Sequence, residues 1–390
     1  VSLATSRSEG EREDGTKPTR LIYNAGKTRT AIDPKDNSVH KSFTDSVRAW
    51  TANRDSELQA REAFYSSRTG ETRFYGSAAF RDSSRHLNAD TLVFYERTNK
   101  VVAVGNVIAR GKDRLFRADR VTYLKNERLV HASGNVAIED DSLKAAIFGE
   151  NAVFNDSTGY GLVTGAPVMK KEEDPGSVIT ISCEDTLEIS GDKKHIRLWN
   201  NVEIVKDSLK VLAGRAVYDD SLETVTLTDH PEGYHIMYDE ASDAVSLLRT
   251  ASTVTGDTVR IHLLDRTVEG IDVLGSARSV SVWTDSTDAV YARSVLESAQ
   301  MRLEMEDGMI TSTVAEGTAR SYYFKNEAGK DNLFVNEASG DTLRFFYDGG
   351  TIKQLRISGF GGGGAKGKYY GYVAKKEVTA EGDSIAVGLE

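Results

Sequence analysis

Proline is almost absent, five residues in 390, and Cys183 is the only cysteine. One cysteine excludes an internal disulfide and any metal site built on paired cysteines, which leaves Cys183 as a small buried hydrophobe. Nowhere do 18 apolar residues follow one another, so no segment reads as a membrane-crossing helix. Positive charge is in deficit, 49 Lys and Arg against 59 Asp and Glu, a net charge of −10. That balance argues against a nucleic-acid backbone as partner, which wants a basic stripe.

Catalytic signatures are missing as well. The seven histidines (His40, His86, His131, His195, His230, His235 and His262) are scattered. The one close pair, in "HPEGYH" at 230–235, lacks the spacing of a helical zinc motif. No Gly-x-Ser-x-Gly elbow or P-loop occurs, and "GFGGGGAKGKYY" at 359–370 lacks the Lys-Ser/Thr ending of a phosphate loop. Trp50, Trp199 and Trp283 read as packing residues, with an exposed aromatic platform for sugars as the alternative for one of them. The expectation is a protein without catalytic residues, metal or cofactor.

What the chain does have is 34 glycines, many short polar residues and β-branched runs that recur. "VGNVIARGKDRLFRADRVTYLKNERLVHASGNVAIEDD", residues 104–141, carries Gly-Asn-Val twice with Ala-Asp between. Around it a pattern of roughly eight or nine copies runs from about Phe43 to Phe360. A small residue and a polar one (Ala60-Arg61, Ala89-Asp90, Ala118-Asp119, Ala213-Gly214) precede an aromatic such as Phe64, Phe94, Tyr123 or Tyr218. A turn follows, then a β-branched run closing on Gly-Ser or Gly-Asn, as at Gly76-Ser77, Gly105-Asn106, Gly134-Asn135 and Gly275-Ser276. Gly165-Ala166 and Asn200-Asn201 are weaker copies, and Asp-Ser pairs such as Asp82-Ser83 and Asp141-Ser142 restart the cycle as turns.

This pattern predicts short strands throughout. Residues 294–308 have some helix propensity, but the turn at Asp307-Gly308 and the fit to the repeat favour a strand. Residues 341–360 read as a hairpin around Asp348-Gly349-Gly350. Strand residues alternate faces, which puts Leu87, Ala89, Val107, Ala109, Phe116, Ala118, Val136, Ile138, Val202, Ile204, Val211 and Ala213 on an apolar face. Arg81, Arg110, Glu139 and Glu203 fall on the opposite, wet one. One apolar side per strand implies two facing sheets, with the recurring glycine marking a bend or bulge. Periodicity leaves two readings open: the sheets close on a packed core, or they stay parted around a guest.

The series Ala89-Asp90, Phe94-Tyr95, Gly105-Asn106-Val107, then Ala118-Asp119, Tyr123, Gly134-Asn135-Val136, resembles the repeat of the OstA-like family. These are periplasmic lipopolysaccharide-transport proteins related to LptA and to the amino-terminal domain of LptD. The likeness is sharpest over 76–169, looser over 183–235 and persists to about 360. It implies an all-β, elongated, open β-jellyroll shaped like a taco, made of stacked short-strand repeats, with acyl chains between the sheets. The apolar set above would then line the lipid channel, with Arg81 and Arg110 near head-group phosphates. Further implications are lipopolysaccharide or a related glycolipid as ligand, the periplasm of a diderm bacterium, and strand-edge pairing with other jellyroll transport proteins or head to tail with itself.

Two features depart from the minimal family member: the chain is about twice as long, and it encodes no series of amphipathic barrel strands. The expected organisation is a flexible or partly ordered lead-in at 1–42, the repetitive jellyroll at 43–360 in one or two segments, and a glycine-rich hinge and tail at 361–390. The competing classes are a closed structural or adhesive β-solenoid and a polysaccharide-active enzyme.

Overall fold

In the computed structural model the β-branched runs form antiparallel strands, and no helix occurs among the described residues. The structure describes residues 2–5, 21–51, 56–83, 86–111, 114–141, 144–155, 157–174, 177–192, 194–206, 209–240, 247–264, 267–284, 290–306, 309–326, 332–348, 351–359 and 366–373. The all-β class expected from the sequence is the observed one. It includes Val290–Glu306, where helix propensity yields to a strand, and the pairing of Asn332–Asp348 with Thr351–Ser358.

Turn chemistry sets the strand ends. The Asn155 side-chain oxygen accepts the N–H groups of Ser157 and Thr158 at 3.0 and 3.1 Å. Asp219 accepts those of Ser221 and Leu222 at 2.9 and 3.1 Å. In both turns the acceptor is the residue before the Asp-Ser pair, so the expected turn is present but displaced by one position.

The chain divides into two compact units, Val1–Asn200 and Asn201–Glu390. In the first, each long strand belongs to two walls. The first half of Ala145–Asn155 pairs with Val168–Asp174, while its second half pairs with Gly161–Thr164. Likewise the two ends of Glu71–Asp82 pair with different strands, Glu62–Ser66 and Ser56–Ala60. The step from one wall to the other in the bulged strands falls where two successive residues adopt left-handed backbone. At Gly105-Asn106 φ is 79° and 48°, at Gly134-Asn135 75° and 48°, and the register slips between Val104 and Val107 and between Ser133 and Val136. Glycine enters this region without the Cβ penalty other residues carry.

The bulges also explain the Ala-Asp element. Asn106 Nδ2 donates to Asp90 Oδ2 at 2.9 Å, and Asn135 Nδ2 to Asp119 Oδ2 at 2.9 Å. A Cβ built on Gly105 or Gly134 would lie 2.3 Å from the same Asp oxygen. The preceding residue sits at the crowded fold between the walls and is small: Ala89, Ala118, Gly149, Cys183. A Cβ on Gly149 would meet Val163 Cγ1 at 2.5 Å. Cys183, 4% exposed, thus occupies an alanine position, and its N–H bonds the Pro167 carbonyl at 3.2 Å.

The second unit uses the same device at Asp229-His230, Gly275-Ser276 and Gly317-Thr318. Its main strands are longer: Thr267–Thr284, Val290–Glu306, Met309–Asn326 and Asn332–Asp348 have 18, 17, 18 and 17 residues. In the first unit Lys100–Arg110, Arg114–Leu124 and Leu129–Asp140 have 11, 11 and 12.

Within the expected lead-in, Ser2–Thr5, Leu21–Ala25 and Lys27–Ile32 are strands, with Leu21 and Tyr23 fully buried. Residues 6–20 lie outside the described residues. In the expected hinge and tail, Lys366–Val373 pairs with the first part of Asn332–Asp348; residues 360–365 and 374–390 lie outside the described residues.

Candidate functional site

Strand register sorts the inner faces of the first unit into rows. One row, in the first wall, runs Tyr23–Ala49–Leu58–Phe80–Leu87–Ala109–Phe116–Ile138–Ile147–Met169. In the second wall a row runs Tyr65–Thr72–Phe94–Val101–Tyr123–Val130–Phe154. Nearer the fold between the walls, Phe74, Leu92, Ala103, Val121, Ala132, Ala152, Val163, Leu187 and Leu198 form a third row, buried over its whole length.

Burial along the two outer rows changes midway. Tyr23, Leu58, Phe80, Tyr65, Thr72 and Phe94 are at most 4% exposed. The walls touch there: Tyr23 stacks on Phe43 with ring centroids 4.4 Å apart, and its hydroxyl lies 2.5 Å from Thr72 Oγ1. Further along, Leu87, Ala109, Phe116 and Ile138 on one wall are half-buried, as are Tyr123, Val130 and Phe154 on the other. Apolar side chains that share an inner face yet reach solvent line a groove. Beyond Ile138 the first wall is buried again at Ile147 and Met169.

Two cations span the groove. Lys125, at the end of a second-wall strand, sits 5.7 Å from the ring of Phe80 on the first wall. Arg114, on the first wall, sits 5.2 Å from the ring of Phe154 on the second and is held by Asp140 at 2.7 Å. Each is a cation over an aromatic face, worth about 0.5–1 kcal/mol at an exposed site.

The residues singled out in the sequence take distinct places. Leu87, Ala109, Phe116 and Ile138 lie in the half-open stretch of one row. Ala89, Val107, Ala118 and Val136 lie beside the bulges and are buried, at 5%, 1%, 5% and 2% exposure. In the second unit Val202, Val211 and Ala213 are buried and Ile204 half-buried. Arg81 and Arg110 are exposed and share an outer-face row with His86, Leu115 and Glu139, pointing away from the groove. Sequence reading missed the second wall's Tyr123, Val130 and Phe154, and the cations Arg114 and Lys125. Alternation counted backward from each Gly-Asn would have found Val130. Nothing local announces the cations, whose ring partners lie 40 and 45 residues away in the chain. Among the described residues, no three His, Cys, Asp or Glu side chains gather as a metal cage.

Residues 86–267 match the family model described as LptA/(LptD N-terminal domain) LPS transport protein. A similar solved structure is the crystal structure of LptH, the LptA homologous periplasmic component of the conserved lipopolysaccharide transport device from Pseudomonas aeruginosa. It is 13% identical and covers 45% of this chain and 82% of its own, at a TM-score of 0.15. No curated protein matches the chain.

Proposed function

We propose, from the match of residues 86–267 to the model of the LptA/(LptD N-terminal domain) LPS transport protein, that the chain binds lipopolysaccharide or a related glycolipid and passes it toward the outer membrane. The acyl chains lie between the walls of the first unit, against Leu87, Ala109, Phe116 and Ile138 on one side and Tyr123, Val130 and Phe154 on the other. The observation that carries this reading is the change along the outer rows, from sealed to solvent-reachable while the residues stay predominantly apolar. Burying about six methylenes of one chain stabilises the complex by roughly 5 kcal/mol. The protein acts as a periplasmic carrier or bridge of a diderm bacterium, without catalysis, its repetitive body spanning about 43–360. Partner jellyrolls or a second copy pair with its strand edges, whose unpaired backbone groups supply the affinity. The buried bulge positions Ala89, Val107, Ala118 and Val136 form the floor beneath the lipid.

A closed structural stack is the second reading, and the contacts of Lys125 with Phe80 and Arg114 with Phe154 favour it. One experiment separates the two. The chain is purified from a lipopolysaccharide-producing host carrying a photo-crosslinking residue at Ile138, or at outer-face Arg110 as control, and its organic extract is analysed by mass spectrometry. Lipid A species crosslinked from Ile138 and not from Arg110 are expected. Ile138→Asp should abolish capture and leave the protein folded. Val136, 2% exposed beside a bulge, is not informative, since an aspartate there tests folding. A protein with no bound lipid that also fails to take up added lipopolysaccharide is a closed stack.

A further inference from the structure

Among the described residues, the longer strands of the second unit extend further beyond their bulges than those of the first. The second unit's inner face begins like the groove. Val273, Met301, Ala315 and Leu343 form one buried row, and Ile271, Leu303, Thr313 and Phe345 the next. On the other side of the bulges, Ala277, Leu296, Ala319 and Ala338 are buried as well. Outward from them, the same face continues for several residues where first-unit strands have already ended. There the register aligns Ser252, Ser281, Ser294, Tyr323 and Asn336 in one row across five strands.

Every one of these residues carries a hydroxyl or amide, all five are half-buried, and Ser252 and Ser281 bond each other at 2.9 Å. The adjoining row holds Trp283, Ala292 and Lys325. Trp283 meets Tyr323 edge to face, with ring centroids 6.2 Å apart. A strand face that faces only lipid has no use for such a row, because polar groups pressed against hydrocarbon lose their water partners without replacement. Hydroxyl and amide groups beside an aromatic edge and one cation instead match a saccharide, which presents hydroxyls at its rim and C–H groups on its faces.

We propose that this extended lip of the second unit binds the phosphorylated saccharide head of the glycolipid. Ser281, Ser294 and Asn336 hydrogen-bond its hydroxyls, Trp283 packs against a sugar face, and Lys325 pairs with its phosphate. The proposal rests on the function given above, since it takes the saccharide to be the head of a glycolipid that the protein carries. Burial raises the Tyr323 hydroxyl above the usual tyrosine range, keeping it a neutral donor at the lip.

The test uses the full chain and two probes: deep-rough lipopolysaccharide, and a 3-hydroxy fatty acid that has acyl chemistry without sugar. Trp283→Ala and Asn336→Ala, singly and together, are compared with the parent by equilibrium binding. The double variant should bind lipopolysaccharide about tenfold more weakly, the scale of one or two lost polar contacts, and bind the fatty acid as before. Unchanged fatty-acid binding also shows that the variant is folded. In a Trp50→Phe, Trp199→Phe background, Trp283 emission should shift with lipopolysaccharide and not with the fatty acid. Loss of both ligands in equal measure, or full retention of lipopolysaccharide, overturns the lip as a saccharide site while leaving the carrier function standing. If the parent protein binds neither probe, the carrier function falls and the lip proposal with it.

Discussion

The strands from Leu21 to Phe94 and those from Lys100 to Asn155 are built on the same bulged repeat, yet only the first group is sealed. Both have an apolar face, and in both the row nearest the fold is buried. The difference lies in the outer rows. In the first group, Tyr23, Tyr65 and Phe94 are sealed, Tyr23 stacks on Phe43, and its hydroxyl finds a threonine on the facing wall. In the second, the outer rows also carry aromatics, Phe116, Tyr123 and Phe154, but these are half-buried, and two cations lie across the opening. The repeat therefore fixes where the walls are. Contact between the outer rows of the two walls, as between Tyr23 and Thr72, decides whether they hold each other or leave room for something else.

The largest expected effect tests that division directly. Phe94 stands in a sealed outer row at 1% exposure, so Phe94→Ala should cost about 3–5 kcal/mol and lower the melting temperature accordingly. Phe116→Ala, in the half-open stretch, should cost only about 1 kcal/mol, yet reduce lipid crosslinking from Ile138 severalfold. Equal destabilisation by the two changes would erase the contrast between sealed and open strands. The next effect concerns what the two regions share. Gly134→Ala puts a Cβ at 2.3 Å from Asp119 Oδ2 in a residue with φ at 75°, a strain of order 1–3 kcal/mol. Chemical denaturation should show a lower midpoint and an unchanged slope.

How much of this was legible in the sequence follows from how local each feature is. The bulges at Gly105-Asn106 and Gly134-Asn135 depend on a backbone conformation that Gly and Asn favour, so the residues themselves report it. The bulges at Asp45-Ser46, Asp229-His230 and Gly317-Thr318 were missed as repeat steps because the Gly-Asn signature is absent. His230, in a pair that lacks zinc-motif spacing, takes one of these backbone steps. The inner faces were readable because alternation is a two-residue property, which is why Leu87, Ala109, Phe116 and Ile138 share one row. The sealing was not. Tyr23 is buried against Thr72, 49 residues on, and no window of sequence contains both. The polar row of the second unit was hidden for a similar reason: Ser281, Ser294, Tyr323 and Asn336 align only once the register of four strands is known.

Arg114 sharpens the comparison from the open side. Its guanidinium pairs with Asp140 and covers Phe154, and about a third of the side chain is exposed. Arg114→Ala should therefore lower stability by about 1 kcal/mol or less. If the cation closes the groove between guests, the same change should speed capture of lipopolysaccharide in a stopped-flow experiment. Slower capture would instead make Arg114 a ligand for the head group.

The smallest effect belongs to Cys183. It stands where neighbouring repeats have Ala89, Ala118 or Gly149, just before the residue that faces a bulge, and it is 4% exposed. An alanine therefore fits without strain, and Cys183→Ala removes only one sulfur and its 3.2 Å contact with the Thr186 carbonyl, a change of about 0.5 kcal/mol. Burial also pushes the thiol above its usual range, so the thiolate that reacts with maleimide is scarce as well as inaccessible. Labelling of the folded protein should then be slow and should accelerate only with denaturant. Rapid labelling in native buffer would mean that the walls part at their fold, and that the open region extends down to the bulges as well as outward to the rim.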